Sequence, residues 1–242
     1  MIKHLLIPVL AIAVYGFGFH AAADIVITKY IAGTFIDISG TGSNLGLGDD
    51  GERTVITSLL GQLRIGNNGA VGFATNGEIF SNNDNLPSTL LLGGGEVFAP
   101  YWDDLDSDSG GVFWQEFSDR VIVQWHDRPH FSGIGIEEGI TFQVQLFANQ
   151  TLTSGVIAQF LYLDTSFAPT QSANDHGARA TIGYQLNQTE AVQWSFNSPG
   201  SVVDGDVLTI LASVPEPSNK SLVLALMGFC FVTNRRRLLR EF

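Results

Sequence analysis

Apolar and polar residues alternate along the middle of the chain. In Ile140-Thr141-Phe142-Gln143-Val144-Gln145-Leu146 the apolar side chains fall on one face and the polar ones on the other, the period-two signature of a strand. Val121, Val123 and Trp125 line one face of the preceding segment, and Arg120, Ile122, Gln124 and His126 line the other. Val112 to Phe117 joins that segment across Ser118-Asp119, a short polar turn suited to a hairpin. Further strands are expected at 24–31, 34–38, 53–59, 62–66, 69–74, 96–99, 156–163, 179–185, 191–196 and 202–211. Gly, Asn, Asp and Ser fill the gaps, where positive φ and side-chain turns are needed. No stretch between residues 24 and 214 sustains a helical apolar period. Many short strands separated by turns predict an all-β body, an antiparallel sandwich or barrel.

The two ends break this pattern. Met1-Ile2-Lys3-His4 precedes an apolar run from Leu5 to Phe19 and then Ala21-Ala22-Ala23. This order reads as a signal peptide over 1–23, with Ala21 and Ala23 as the signal-peptidase recognition residues. At the other end, Val214-Pro215-Glu216-Pro217 leads into an apolar stretch at 221–233, closed by Arg235-Arg236-Arg237. That stretch is shorter than the roughly 20 residues that span hydrocarbon comfortably. Arginines can snorkel, and a basic cluster favours the cytoplasmic side. The tail reads as a short C-terminal transmembrane helix that would leave the body outside the membrane.

Charge and composition narrow the class. Of 242 residues, 24 are acidic and 12 basic. Between 24 and 214 the balance is steeper, 22 acidic against 6 basic side chains. Such a surface excludes nucleic acid as a partner, because phosphate contacts need clustered Lys and Arg. The one cysteine, Cys230, lies in the tail, so the body has neither a disulfide nor a cysteine metal site. Its stability must come from its core, with a bound cation as the other available aid.

Two resemblances add to this reading. The Pro-Glu-Pro box at Val214–Pro217, the apolar helix 221–233 and the Arg235–Arg237 cluster together resemble the PEP-CTERM sorting signal. That resemblance implies a bacterial protein cut near the box by the membrane protease exosortase. It also implies passage to the cell surface or extracellular matrix, often alongside exopolysaccharide, in a biofilm setting. The second lies in the body. Asn67-Asn68-Gly69-Ala70-Val71-Gly72-Phe73 is followed by Val97-Phe98-Ala99-Pro100-Tyr101-Trp102-Asp103-Asp104-Leu105-Asp106. The strand segments at 110–114, 119–125, 141–147 and 180–185 follow in order, with Pro129-His130-Phe131 among them. The set resembles the nidogen-type extracellular domain over about residues 65–197. It implies a β-sandwich that makes protein or polysaccharide contacts, and that family has no shared active site to transfer.

Candidate chemistry is sparse. Asp103, Asp104, Asp106 and Asp108 crowd into six residues beside Gly110-Gly111. Oxygen ligands in a glycine-flexed turn suit calcium, and Asp104-x-Asp106-x-Asp108 copies the first three positions of an EF-hand loop. The copy then fails, with Ser109 at the glycine position and Gln115 at position twelve. Asp49, Asp50 and Glu52 form a second acidic turn. His126 and His130 are four apart, but Pro129 forbids the helix that would align them for zinc. Asp103, Asp104 and Glu116 are the carboxylates a glycosidase would draw on. No nucleophile elbow, zincin motif or phosphate loop occurs, so a non-catalytic protein is expected. A carbohydrate-binding module is the alternative, with Trp114 as the stacking ring and Trp125 as core.

Overall fold

The computed structural model describes residues 25–29, 31–131, 138–148, 155–167 and 172–212. All of them fall within one compact unit, Asp24–Val214. The alternating segments form strands. In chain order these are β1 (Ile25–Thr28), β2 (Ser43–Asn44), β3 (Glu52–Thr57), β4 (Gly61–Gly66), β5 (Val71–Gly72) and β6 (Val97–Trp102). Then come β7 (Gly111–Glu116), β8 (Arg120–Arg128), β9 (Ile140–Phe147), β10 (Val156–Asp164), β11 (Thr181–Gln185), β12 (Ala191–Phe196) and β13 (Val207–Ala212). A short 3-10 segment at Ser172–Gly177 precedes β11. One sheet has the order β1-β13-β10-β9-β8-β7-β2, and the other β12-β11-β6-β5-β4-β3. Every pairing is antiparallel.

The sheets pack face to face over one apolar core. Val121, Val123 and Trp125 of β8, with Phe142, Val144 and Leu146 of β9, meet Leu63 and Ile65 of β4, Phe98 of β6 and Ile182 of β11. Trp125 stacks on Phe142 at 5.0 Å and 9°. Its indole N–H donates to the Gly66 carbonyl on the opposite sheet at 3.0 Å. The Tyr162 hydroxyl likewise donates across the core to the Pro100 carbonyl at 2.6 Å. Each such side chain stabilises the fold by about 1.5–3 kcal/mol through burial, and its polar tip is satisfied instead of stranded.

The polar face of the larger sheet differs from a simple solvent face. Gln124, Gln143, Gln145 and Gln159 are all buried there. An extended strap at 32–38 covers them. Gln124 accepts from Ile38 N at 2.8 Å and donates to Asp37 at 2.9 Å. Gln143, Gln145 and Gln159 donate to the carbonyls of Ile36, Thr34 and Ala32. The strand expected at 34–38 is therefore not a strand. Its backbone is satisfied by glutamine side chains, a partner that alternation alone does not reveal. The strand expected from 202 begins only at Val207. Gly205 takes φ +82° and Asp206 accepts from Val203 N at 2.7 Å, so the preceding residues form a turn.

Ala21, Ala23, Val214, Pro215, Glu216, Pro217, the stretch 221–233 and Arg235–Arg237 lie outside the described residues. Among the described residues no helix is long and apolar enough to cross a membrane.

Candidate functional site

The acidic end of the sandwich is organised by the turn Asn67-Asn68-Gly69 between β4 and β5. Gly69 takes φ +79°, and a Cβ there would sit 1.8 Å from the Tyr101 carbonyl oxygen. Only glycine permits that approach. The turn lies along the end of β6, where Asp103 N donates to the Asn68 carbonyl at 3.2 Å. The Asn68 side chain is fully buried. Its carbonyl accepts from Leu105 N at 3.2 Å, and its amide donates to Asp50 at 3.1 Å and to the Phe80 carbonyl at 2.5 Å. The Asn67 amide donates to the Leu105 carbonyl, and its side-chain oxygen accepts from Arg128. Two adjacent asparagines thus hold the 49–51 turn and the 103–110 loop in one place. The sequence marks Asn-Asn-Gly as a turn but carries no sign of the bonds that either asparagine side chain makes.

This arrangement sends the four aspartates of the 103–108 loop in different directions. Asp103 is buried, and its Oδ1 accepts from Asp104 N at 2.9 Å and lies 3.5 Å from His130 Nε2. Its Oδ2 is buried without a hydrogen-bond partner among the described residues. Burial works to lower the His130 pKa, but the Asp103 hydrogen bond and charge outweigh it and leave the imidazole raised. Asp106 and Asp108 lie in the field of Arg128, with Asp49 and Asp127. Burial lowers the guanidinium to about 10, and those carboxylates oppose the shift. Arg128 donates to the Ser109 carbonyl at 3.0 Å.

Asp104 instead meets the second acidic turn. Carboxylate oxygens of Asp49, Asp50 and Asp104 all lie within 4.8 Å of one another. Among the described residues this is the one group of three or more side chains spaced to ligate a metal. Burial first, and then the charges of Asp50, Asp103 and Asp49, raise the Asp104 pKa, against the opposing charge of His130. Asp49 is raised by burial, Asp50 and Asp106. Carboxylates crowded in this way suit a hard divalent cation such as calcium, whose charge would relieve their repulsion.

The remaining candidates have other surroundings. His126 sits edge-on to Phe113 at 6.3 Å, and His130 edge-on to Phe167 at 5.6 Å. Glu116 accepts from Ser58 N, Ser58 Oγ and Leu59 N at 3.1, 2.9 and 2.7 Å, so it closes the β3–β4 turn. Trp114 pairs with Val123 and is half-buried against the main core, as Trp125 is fully. Phe113 occupies the opposite face of β7.

No curated protein and no solved structure matches the chain. A family model described as NIDO related matches residues 55–220, more than half of the chain. The chain therefore belongs to the NIDO-related family.

Proposed function

We propose that this NIDO-related protein is an exported bacterial surface or matrix component that makes non-catalytic contacts with matrix proteins or polysaccharide. Family membership over 55–220 carries this reading, since it points to an extracellular domain of adhesive or matrix type. The acidic balance and the cysteine-free body agree with it. Signal peptidase would act after Ala23. Exosortase would act near Val214–Pro217, with the 221–233 helix and Arg235–Arg237 as a transient inner-membrane anchor. In the same reading, calcium bridges the 49–51 turn and the 103–110 loop through Asp49, Asp50 and Asp104, a role favoured by their convergence from distant positions. The test is a deletion strain. Its cells should aggregate less and bind less matrix, and the full-length gene should restore both. Unchanged aggregation and matrix content would refute the role.

A further inference from the structure

The edge strand β12 carries a feature that the acidic end does not explain. Its register against β11 shifts between Ser195, opposite Ile182, and Gln193, opposite Gly183, which leaves Trp194 as an extra residue. That is a β-bulge, a device that re-aims side chains and twists an edge away from strand addition. Beside it opens a groove of about 700 Å³, within the range of small-molecule and cofactor sites. Lys29, Asn85, Gln193, Trp194, Ser195 and Phe196 line it.

The lining is arranged before any ligand arrives. The Trp194 indole N–H donates to the Ser201 carbonyl at 3.0 Å, and Lys29 Nζ lies 5.9 Å from its ring centroid. One wall is therefore a fixed aromatic. Phe196, half-buried, is a second aromatic of the lining, and its ring is in no aromatic pair among the described residues. Gln193 is oriented by Leu86 N, which donates to it at 2.7 Å, and its amide donates to Asn85 at 3.3 Å. Ser195 is 8% exposed, and its Oγ has no hydrogen-bond partner among the described residues. A buried hydroxyl left unpaired is unfavourable unless something outside the chain satisfies it.

We propose that this groove binds a neutral polysaccharide segment. The inference rests on the matrix reading above and names the ligand class and its site. A sugar ring presents an apolar C–H face to an aromatic ring and hydroxyls to amides and a serine, and the groove offers both together. The one cation, Lys29, is paired with Asp206 at 2.6 Å. With 22 acidic against 6 basic side chains in the body, an anionic glycan would meet net repulsion. A peptide strand is disfavoured because the bulge interrupts the backbone ladder it would extend.

Affinity electrophoresis of the full-length protein in detergent, through gels containing soluble β-glucan, dextran, galactomannan or alginate, tests this. At least one neutral polymer should retard it and alginate should not. Ser195→Ala should weaken that interaction about fivefold, the loss of one hydrogen bond. Phe196→Ala should weaken it about tenfold through the lost ring surface. Ser195→Ala removes an unpaired group, so its melting temperature should not fall, which separates lost binding from lost folding. Retardation by alginate alone, or by no polymer, overturns the proposal. Retardation unaffected by both variants overturns the site while leaving the matrix role standing. Free migration with intact cell aggregation by the protein would likewise sink this inference alone.

Discussion

Replacing Asn68 with alanine should unfold the acidic end first. The substitution strips the acceptor from the buried Leu105 N–H and the donor from the Phe80 carbonyl and Asp50. Asp50 is exposed and regains water, so it adds little. The other two groups are left wanting at about 1–3 kcal/mol each, which gives a loss of about 2–6 kcal/mol. For a domain of this size each kcal/mol moves the melting temperature by about 2–4 °C, so the expected drop is about 4–24 °C. Thermal melts followed by near-UV circular dichroism, which reports the packed tryptophans, measure it. Asn68→Asp provides the control. It keeps the Leu105 acceptor but sets a second carboxylate against Asp50, so it should be more damaging at pH 7 than at pH 5. A drop under about 2 °C for the alanine variant would refute the claim that this side chain ties the two loops together.

Other expectations follow from the same geometry. Asp104→Asn should raise the melting temperature in chelator by removing repulsion, and calcium should stabilise the wild type, by about 1.4 kcal/mol at ten times its Kd, while leaving the variant unmoved. Equal calcium responses would refute the bridge. His130 has a raised pKa in the folded protein, so its stabilisation is complete below its unfolded value near 6.5 and is lost as pH rises through the folded value. Urea midpoints at pH 6 and pH 9 should fall with pH in the wild type and less so in His130→Gln. Gly69→Ala and Gly200→Ala share a positive φ near +79° and +75°, but only the first meets backbone at 1.8 Å. The second should cost about 1–2 kcal/mol and the first about 3 kcal/mol or more, and comparable urea midpoints would refute the close approach.

Much of the β architecture was legible because the core faces are coded by alternation. Val121, Val123 and Trp125 point to the core as their spacing implies, and the β7–β8 hairpin turns at Ser118-Asp119. The strap at 32–38 was not legible. Its partners are glutamine side chains more than 80 residues away, and a polar residue on an alternating strand gives no sign of whether water or another segment meets it. The acidic loops were legible as two turns but not as one group. Their meeting depends on Asn67 and Asn68, whose hydrogen bonds run to residues distant in sequence. The β12 groove depends on a one-residue register shift, which leaves no mark in composition. The family match runs from residue 55 to residue 220, taking in the end of β3, all of β4 and, downstream, β13, a wider span than the region of about 65–197 that the motifs suggested.

The most direct test of a surface role is the location of the protein with and without its tail. Protease treatment of intact cells and immunoblots of cells, matrix and medium, for the full chain and for a chain lacking 215–242, provide it. The full chain should be protease-accessible on the cell surface and in the matrix, and the shortened chain should be released into the medium. A full chain protected inside the cell, or a shortened chain retained on the surface as fully as the intact one, would contradict that role.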